Sequence, residues 1–482
     1  MVTGHGCDAS RGKPGCGGIG ARSSARDPGR GRAGALLVLG CAVCILLTSC
    51  ASFRPEPINL RASARRFSAR TLHNRRLTTY LAALGLPPGN SWGLRRLTYV
   101  AVFERPELKI ARADYRAALG RLRIAEQIAN PKVGISTGFN VSQPLPTPWS
   151  VGPILTFLIQ NFLSKDALIG AARQNIVAAR AAIDSVAWNE RKRVYDALLA
   201  LWVDRRTSML YRQQAALDRT IARAVLERYR VGTASASALT TARLNAERAA
   251  FRQHQAQLAA SLAKARLASV VGLPSAALRG VKIGFAVFRE LRVPENLAAD
   301  ERIAVVERPA VRRALADYNA VQYRLKAAVY GVINGVKVSP TYGMSQDTYQ
   351  YALGIHAHAP IFNQHAGQIA VARAERRRAA EQLQSVQESV FSQIQGAVIY
   401  WRRSDSVMAA SRQALRSAER ELAASRQAYR AGTIGDVRLL GARLLVLSAR
   451  LDLLSAEREH FRAGGNLMAA LHRKLWKERD ES

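Results

Sequence analysis

Tyr229-Arg230-Val231-Gly232-Thr233 decides the fold, because the same stretch returns 200 positions later as Tyr429-Arg430-Ala431-Gly432-Thr433. A second motif, Glu104-Arg105-Pro106, returns after 203 positions as Glu307-Arg308-Pro309. A unit of this length is not a solenoid repeat, whose period runs from roughly 20 to 50 residues. The sequence therefore predicts two similar halves, each of them a complete substructure.

Each half contains one long segment without proline. Residues from about 163 to 230 include no Pro and one Gly, Gly170, and predict a single helix of roughly 100 Å. The second half predicts a matching helix over about 363–430. In each half, two shorter helices stacked end to end are nearly as long as the long one, which favours antiparallel columns of a hollow cylinder or a stalk over a globular core. The shorter helices are predicted at about 107–129, 235–271, 309–332 and 436–471.

Four segments alternate between apolar and small or polar residues with a period of two. They are predicted as strands at about 132–142, 150–160, 335–345 and 348–359. Strands of this length with one apolar face are typical of barrels that have lipid outside and water inside. The residues predicted to face lipid are Val133, Ile135, Phe139, Val141, Tyr349, Tyr351, Leu353 and Ile355.

Four strands are too few to close a barrel by themselves. Open sheet edges are not tolerated in lipid, because their backbone groups would lack hydrogen-bond partners. Several copies of the chain must therefore pool their strands: two copies would give eight strands and three would give twelve. The fold class predicted from the residues is mainly α, with a small membrane β part.

The first 49 residues predict a signal peptide. Six basic residues precede an apolar run from about Ala33 to Leu47, and Leu47-Thr48-Ser49-Cys50 follows the pattern of a bacterial lipobox, whose cysteine takes a lipid. The alternative is an uncleaved membrane anchor, although the run is short for a span. All five cysteines lie within the first 50 residues, so the mature chain has no disulfide framework or thiol site. Ala51, rather than Asp, after the cysteine favours the outer membrane.

The net charge of +36 raises nucleic acid as a partner, but two observations oppose it. The arginines are spread along helical faces, and an exported chain has no access to DNA. A solvated surface, or contact with anionic lipid headgroups, explains the charge instead. The sequence shows no catalytic constellation and no phosphate-binding loop, so neither an enzyme nor a cofactor is expected. No later segment has 18 consecutive apolar residues, so any membrane crossing is expected from strands.

The duplicated order of helix, two strands and two helices resembles the TolC-like outer membrane channels of tripartite efflux and type I secretion systems. The resemblance also rests on Asn130-Pro131 before the first strand, Ala359-Pro360-Ile361-Phe362-Asn363 after the fourth, and the repeated Tyr-Arg-x-Gly-Thr. Within the family, the chain looks most similar to the outer membrane subunits of cobalt–zinc–cadmium-type efflux pumps.

The resemblance implies a homotrimer with a 12-stranded barrel in the outer membrane and a periplasmic α-helical tunnel. It also implies a passive channel that exports small molecules or metal ions, with a periplasmic adaptor and an inner membrane transporter of the RND type as partners. Two alternatives stay open: a lipid-anchored periplasmic stalk or adaptor without a pore, and an exit channel for type I protein secretion.

The family pattern divides the chain into five parts after the leader. Two repeats are separated by an equatorial linker, meaning a segment around the middle of the helical columns. The parts are a lipidated tether and equatorial segment (50–100), repeat one (101–272), the linker (273–302), repeat two (303–472) and a tail (473–482).

The repeated Gly-Thr pairs are the first candidate site. By resemblance, Gly232, Thr233, Gly432 and Thr433 lie at the periplasmic tips and contact the adaptor. The simpler explanation is that the glycines permit the tight turn of a helical hairpin. Asp436, beside the second tip, is a candidate for an acidic ring at a closed entrance, although a single Asp near a helix start is commonly an N-cap.

Histidines near the fourth strand raise the question of a metal site. His356 and His358 share one strand face in the predicted register, and His365 is close in sequence. Polar side chains at alternate positions are also the ordinary lining of a barrel lumen. The lumen explanation is preferred, and no metal site is predicted.

Overall fold

The computed structural model describes most of the chain after the leader. It forms two units, Met1–Ser63 and Ala64–Ser482. The predicted signal peptide, Cys50 and residues 474–482 lie outside the described residues. The described residues are 53–86, 89, 91–139, 141, 149–289, 297–333, 335–345 and 348–473.

The elements of the first half follow the predicted order. Three short helices come first: α1 (Leu60–Ser68), α2 (Arg75–Ala83) and α3 (Leu94–Glu104). They are followed by α4 (Pro106–Glu126), β1 (Lys132–Phe139), β2 (Trp149–Ile159), the long helix α5 (Phe162–Arg230) and α6 (Ala236–Val271). Ser235 caps α6, since its hydroxyl accepts the amide of Ala238.

The second half repeats this order. Its elements are α7 (Leu297–Glu307), α8 (Pro309–Tyr330), β3 (Val336–Ser345), β4 (Thr348–Ala357), the long helix α9 (Ala366–Arg430) and α10 (Asp436–Ala470). The fold class predicted from the sequence, mainly helical with a few antiparallel strands, is confirmed.

Several predicted boundaries need correction. The linker 273–302 is not wholly irregular, because α7 begins inside it at Leu297. The helix predicted to reach 129 ends at Glu126, and its C-cap Gln127 is already extended with a ψ of 143°, ahead of Pro131. The helix predicted from 363 begins at Ala366, after His365 adopts a left-handed φ of 59°.

Two predicted strands are also too long. β1 ends at Phe139, which pairs with Trp149, the first residue of β2, so Val141 lies beyond the ladder. β4 ends at Ala357, which pairs with Val336, the first residue of β3. His358 therefore has no strand residue to pair with.

The four strands form one antiparallel sheet in the order β1-β2-β3-β4. The two halves meet at its centre, where β2 pairs with β3 over Ser150 to Ile159. Asn161 joins the halves just below this pairing. Its side-chain amide donates to the carbonyls of Tyr330 at 2.6 Å and Ile333 at 3.0 Å, while its Oδ1 caps the start of α5.

The helices pack as neighbouring columns. Next to the sheet, α5 packs between α4 and α8, and α8 packs against α9. Toward the far end, α5 packs between α6 and α10, and α10 packs against α9. Columns α4 and α6 therefore stand on one side of the chain, and α9 stands on the other.

The Glu-Arg-Pro repeat ties each half to its own long helix. Arg105 lies just before α4 and forms an ion pair with Glu190 of α5, which is 2% exposed, at 3.1 Å. In the second half, Arg308 donates to the amide oxygen of Gln393 on α9 at 3.2 Å. Burial raises the pKa of Glu190, and the charges of Arg105 and Arg193 oppose this shift.

An equatorial core surrounds the middle of α5. It combines buried residues of α2, α3 and the ends of α6 and α10 with those of the segment after α6. Four aromatic rings lie at its centre, with centroids 5.3 to 5.5 Å apart between neighbours: Tyr195, Trp202, Phe288 and Phe461. Among the described residues, no helix is both long enough and apolar enough to cross a bilayer.

Candidate functional site

The register of the sheet separates apolar from polar residues. Residues directly opposite each other on antiparallel strands project to the same side, so the pairing assigns every strand residue to a face. In the described strands, one face, which we call the apolar face, consists of aliphatic and aromatic residues apart from Thr137 and Ala357. It contains Val133, Ile135, Phe139, Trp149, Val151, Pro153, Leu155, Phe157, Ile159, Val336, Val338, Pro340, Tyr342, Met344, Tyr349, Tyr351, Leu353, Ile355 and Ala357.

Seven of the eight residues predicted to face lipid lie together on the apolar face, and their side chains are exposed in the single chain. Val141, the eighth, is also exposed but lies outside β1. The sequence prediction left out the members contributed by β2 and β3. In β2 the alternation is hidden because Ile154 and Leu158, on the opposite face, are also apolar.

The opposite face, which we call the polar face, carries small and hydrophilic side chains apart from Ile154 and Leu158. Gly152 and Gly343 approach each other closely there: a β-carbon on Gly152 would lie 2.5 Å from the Cα of Gly343. The face also contains Lys132, Ser136, Ser150, Thr156, Lys337, Ser339, Thr341, Gln350, Ala352 and His356. A sheet with these two faces can separate an apolar medium from an aqueous one.

The free edges of the sheet and of the helical layer coincide. β1 and β4 are the edge strands, β1 follows α4 and β4 precedes α9. Apolar side chains are exposed on the outer helices, which are α4 and α6 on one side and α9 on the other. On α6 they form a stripe whose first three residues are seven positions apart. The exposed residues are Ile110 and Ile124 on α4, Leu244, Phe251, Leu258 and Leu262 on α6, and Val371, Phe391, Ile399 and Val407 on α9.

Both helical hairpins close with the same turn at their tips. Gly232 and Gly432 have left-handed φ angles of 73° and 72°. In the first tip, the amide and the hydroxyl of Thr233 donate to the carbonyl of Arg228 at 2.7 and 2.9 Å, and Thr433 repeats both bonds at the second tip. This arrangement satisfies helix-terminal carbonyls, and its positive φ favours glycine. Contact of the tips with a partner stays a prediction.

Asp436 is the first residue of α10 rather than its N-cap, a position that Gly435 occupies. Its Oδ1 accepts the amide of Val437 at 2.8 Å, and the residue is exposed. A carboxylate in the first turn is stabilised by the free amides of the helix start. The role of Asp436 in a gate stays a prediction.

The two hairpins are packed differently just above their tips. In the second, Leu422 and Val446 are buried at the interface of α9 and α10. Two hundred positions earlier, Ala222 and Ala246 leave a groove of about 690 Å³ between α5 and α6. Three arginines and one carboxylate line this groove: Arg219, Arg223, Arg243 and Glu247.

The three histidines near the fourth strand differ in their position relative to it. In the part of the chain that the structure describes, no group of three or more His, Cys, Asp or Glu residues is arranged to hold a metal ion. His356 projects from the polar face, whereas His358 and His365 follow the end of β4.

Comparisons with known proteins agree with this geometry. The sequence pattern of the outer membrane efflux protein family matches residues 97–273 and 311–472. No curated protein matches the chain by sequence.

Solved structures of outer membrane proteins share the fold at low sequence identity. The structure is similar to the outer membrane protein VceC of Vibrio cholerae, with a TM-score of 0.66 and 18% identity over 80% of this chain and 97% of that one. For CusC the TM-score is 0.64, with 16% identity over 79% and 92% of the chains. For the outer membrane channel MtrE of Neisseria gonorrhoeae it is 0.62, with 17% identity over 79% and 89%.

Proposed function

The chain belongs to the outer membrane efflux protein family, and from this premise we propose that three copies assemble into the passive exit channel of a tripartite efflux system. An outer membrane location and a general role in efflux follow from the family. The number of copies, the partners and the cargo are parts of the proposal. The family and the structurally similar proteins are channels rather than enzymes.

The observation that carries the proposal is that the unpaired strand edges and the exposed apolar helix surfaces lie on the same two sides of the chain. An unpaired strand edge is costly in lipid, and an exposed apolar stripe is costly in water. Joining β4 and α9 of one copy to β1 and the α4 and α6 columns of the next covers both at once. The contact continues the sheet and the helical layer in the same direction, so that repetition around an axis closes a ring.

Three copies would give a sheet of twelve strands, four from each chain. This number is the one that the resemblance to TolC-like channels implies, and the strands alone also permit two copies. The apolar face would then point to lipid and the polar face to the lumen. A stalk or an adaptor without a pore has no use for such a sheet, which is why we place that alternative second.

The channel proposal predicts that charges on the stripe of α6 prevent assembly. We expect Phe251→Glu with Leu258→Glu to yield monomers after mild detergent extraction, because carboxylates replace the apolar contacts with the next copy. The wild-type protein is expected to run as an SDS-resistant trimer that unfolds on heating. Purified and added to planar bilayers, it should form conducting pores, and the double variant should not.

Leu445→Glu is the matched control for this experiment. Leu445 is also exposed, but it lies on α10, which packs between α5 and α9 of its own chain. Trimers should persist in this variant. A wild-type protein that is monomeric and forms no pores would overturn the proposal. If the double variant and Leu445→Glu form trimers to the same extent, the stripe on α6 is not part of the interface.

We place the adaptor at the helix tips and in the groove above the first tip. The three arginines outnumber Glu247 in this groove, and with its alanine floor they suit a helix of the adaptor that presents Asp or Glu beside small apolar residues. In the second hairpin, Leu422 and Val446 stand at the equivalent positions and are buried between α9 and α10. On this proposal, Gly232, Thr233, Gly432 and Thr433 form the end of the contact surface.

Filling the groove is expected to weaken the adaptor contact. In cells, Thr233→Cys labelled with a crosslinker that has one thiol-reactive and one photoreactive group should be captured by the adaptor of the same efflux system. The label is specific, because the only other cysteine of the proposed mature chain is Cys50, whose thiol the lipid would occupy. Adding Ala222→Leu with Ala246→Val copies the packing of the second hairpin and should lower the yield severalfold. Ala424→Leu, on an exposed position of α9, should not. An unchanged yield in the filled variant would argue against the groove.

Lipidation of Cys50 is the last part of the proposal. It is supported by the lipobox and by the position of all five cysteines in the first 50 residues. Mass spectrometry of the mature N-terminus should show a lipid-modified cysteine. An unmodified chain with an intact leader would favour the membrane-anchor alternative.

A further inference from the structure

We propose that the lumen of the sheet carries a basic ring, formed by Lys132 and Lys337 of each copy, which makes the channel anion-selective and favours anionic cargo. The inference rests on the proposed function, because the polar face becomes a lumen only in the closed assembly. It goes beyond that function by naming a cargo class and the residues that select it.

The two lysines lie in neighbouring rows at the same end of the sheet. Lys132 opens β1 and Lys337 is the second residue of β3, so both stand at the end where the strands join the helices. Lys132 pairs with Thr156 in one row of the ladder, and Lys337 pairs with Leu158 and His356 in the next. Ser339 extends the row of Lys132, since its hydroxyl donates to that of Thr156 at 3.2 Å.

Both lysines project from the polar face. Their partners Thr156 and His356 belong to that face, whereas the neighbours Val133 and Val338 belong to the apolar one. A lysine on the lipid side of a barrel would extend toward the membrane surface to solvate its charge. A lysine on the lumen side has no such need and places its charge in the water that cargo crosses.

No carboxylate balances this charge in the described strands. Residues 132–139, 149–159, 336–345 and 348–357 contain no Asp or Glu. In the part of the chain that the structure describes, neither lysine forms an ion pair, and both side chains are exposed. On the polar face of the described strands, the ammonium groups of Lys132 and Lys337 therefore have no carboxylate beside them.

Assembly multiplies the effect. With two lysines from each chain, three copies place six ammonium groups in one belt where the sheet meets the helical tunnel. Rings of Lys or Arg favour anions in pores, because low-dielectric walls focus their field across the lumen. The belt would raise the local concentration of anionic solutes and lower that of cations, which selects cargo by charge rather than by shape.

The test is the ion selectivity of the purified full-length channel in planar bilayers under a KCl gradient. We expect the wild-type pore to prefer chloride over potassium by about threefold or more. Lys132→Gln with Lys337→Gln should reduce this preference, and Lys132→Glu with Lys337→Glu should reverse it. Lys109→Glu, a charge change on an exposed position of α4 far from the strands, should leave the preference unchanged.

The outcomes separate this inference from the proposed function. Absence of any conductance would count against the channel itself. A conducting pore that prefers cations would overturn the basic ring alone. So would a pore whose ion preference is the same in the wild type, the Lys132 and Lys337 variants and the Lys109→Glu control. In a deletion strain, the Lys132→Glu, Lys337→Glu variant should restore resistance to a cationic dye better than resistance to an anionic detergent.

Discussion

Leu353→Arg is expected to cause a large loss of assembled trimer from the outer membrane. Leu353 lies near the middle of β4, opposite Pro340, and its side chain is 64% exposed in the single chain. On the lipid side of a barrel, an arginine near the bilayer midplane costs about 2–4 kcal/mol per copy. Three copies would carry the cost together, because they insert as one assembly.

The neighbouring residue supplies a matched control. Ala352 precedes Leu353 in the same strand and projects from the polar face, opposite Thr341. Ala352→Arg adds the same side chain at the same depth, but into the lumen, where water and anions can solvate it. We expect this variant to assemble at close to the wild-type level.

The measurement is the amount of SDS-resistant, heat-modifiable trimer in isolated outer membranes, with total protein checked after denaturation. A large loss for Leu353→Arg beside a normal level for Ala352→Arg would assign the two faces to lipid and lumen. The reverse result would mean that the apolar face points inward. Equal assembly of both variants would contradict a position of this strand in the bilayer.

The sequence predicts the sheet well where only one face of a strand is apolar. In β4 the alternation of Tyr349, Tyr351, Leu353 and Ile355 is visible directly, because the residues between them are small or polar. In β2 it is not, since Ile154 and Leu158 on the polar face blur the period. The alternation of apolar and polar residues also does not predict where a strand ends, because the end depends on where the partner strand begins.

Repeats in sequence do not predict equal contacts in structure. Arg105 and Arg308 stand in the same motif, yet the first meets a buried carboxylate and the second an amide. Residues on the long helices, 85 positions later in each half, decide this difference, and no local pattern marks them. The groove above the first tip escaped prediction for the same reason. It exists because two alanines replace a leucine and a valine at otherwise equivalent positions.

The helical columns follow from simpler physics. Long segments without Pro, rich in Ala, Leu and Arg, have a strong helix preference, and the tips are fixed by glycines that accept a positive φ. The helix predicted over about 163–230 spans Phe162–Arg230. What the helices enclose depends on copies of the chain, which local preferences do not specify.

The second large effect is expected in the equatorial core, at a glycine in the middle of a helix. Gly465 lies on α10 against Tyr195 of α5, and a β-carbon on Gly465 would lie 2.2 Å from Cε1 of that ring. The ring cannot shift freely, because its hydroxyl donates to the carbonyl of Phe461 at 2.6 Å and the residue is fully buried. Burial also raises the pKa of Tyr195, which keeps the hydroxyl protonated as a donor.

Gly465→Ala should therefore destabilise the protein although alanine is the better helix former. Overpacking of this kind costs about 1–3 kcal/mol, against a gain of about 0.5–1 kcal/mol from replacing a glycine within a helix. Gly441→Ala on the same helix isolates the gain, since a β-carbon there meets no atom within 4 Å. We expect the apparent melting temperature of the detergent-purified trimer to fall for Gly465→Ala and to rise slightly for Gly441→Ala.

Combining Gly465→Ala with Tyr195→Leu should cost less stability than the sum of the two single changes, because the smaller side chain makes room for the methyl group. Additive costs would show that the close approach of α5 and α10 does not depend on this glycine.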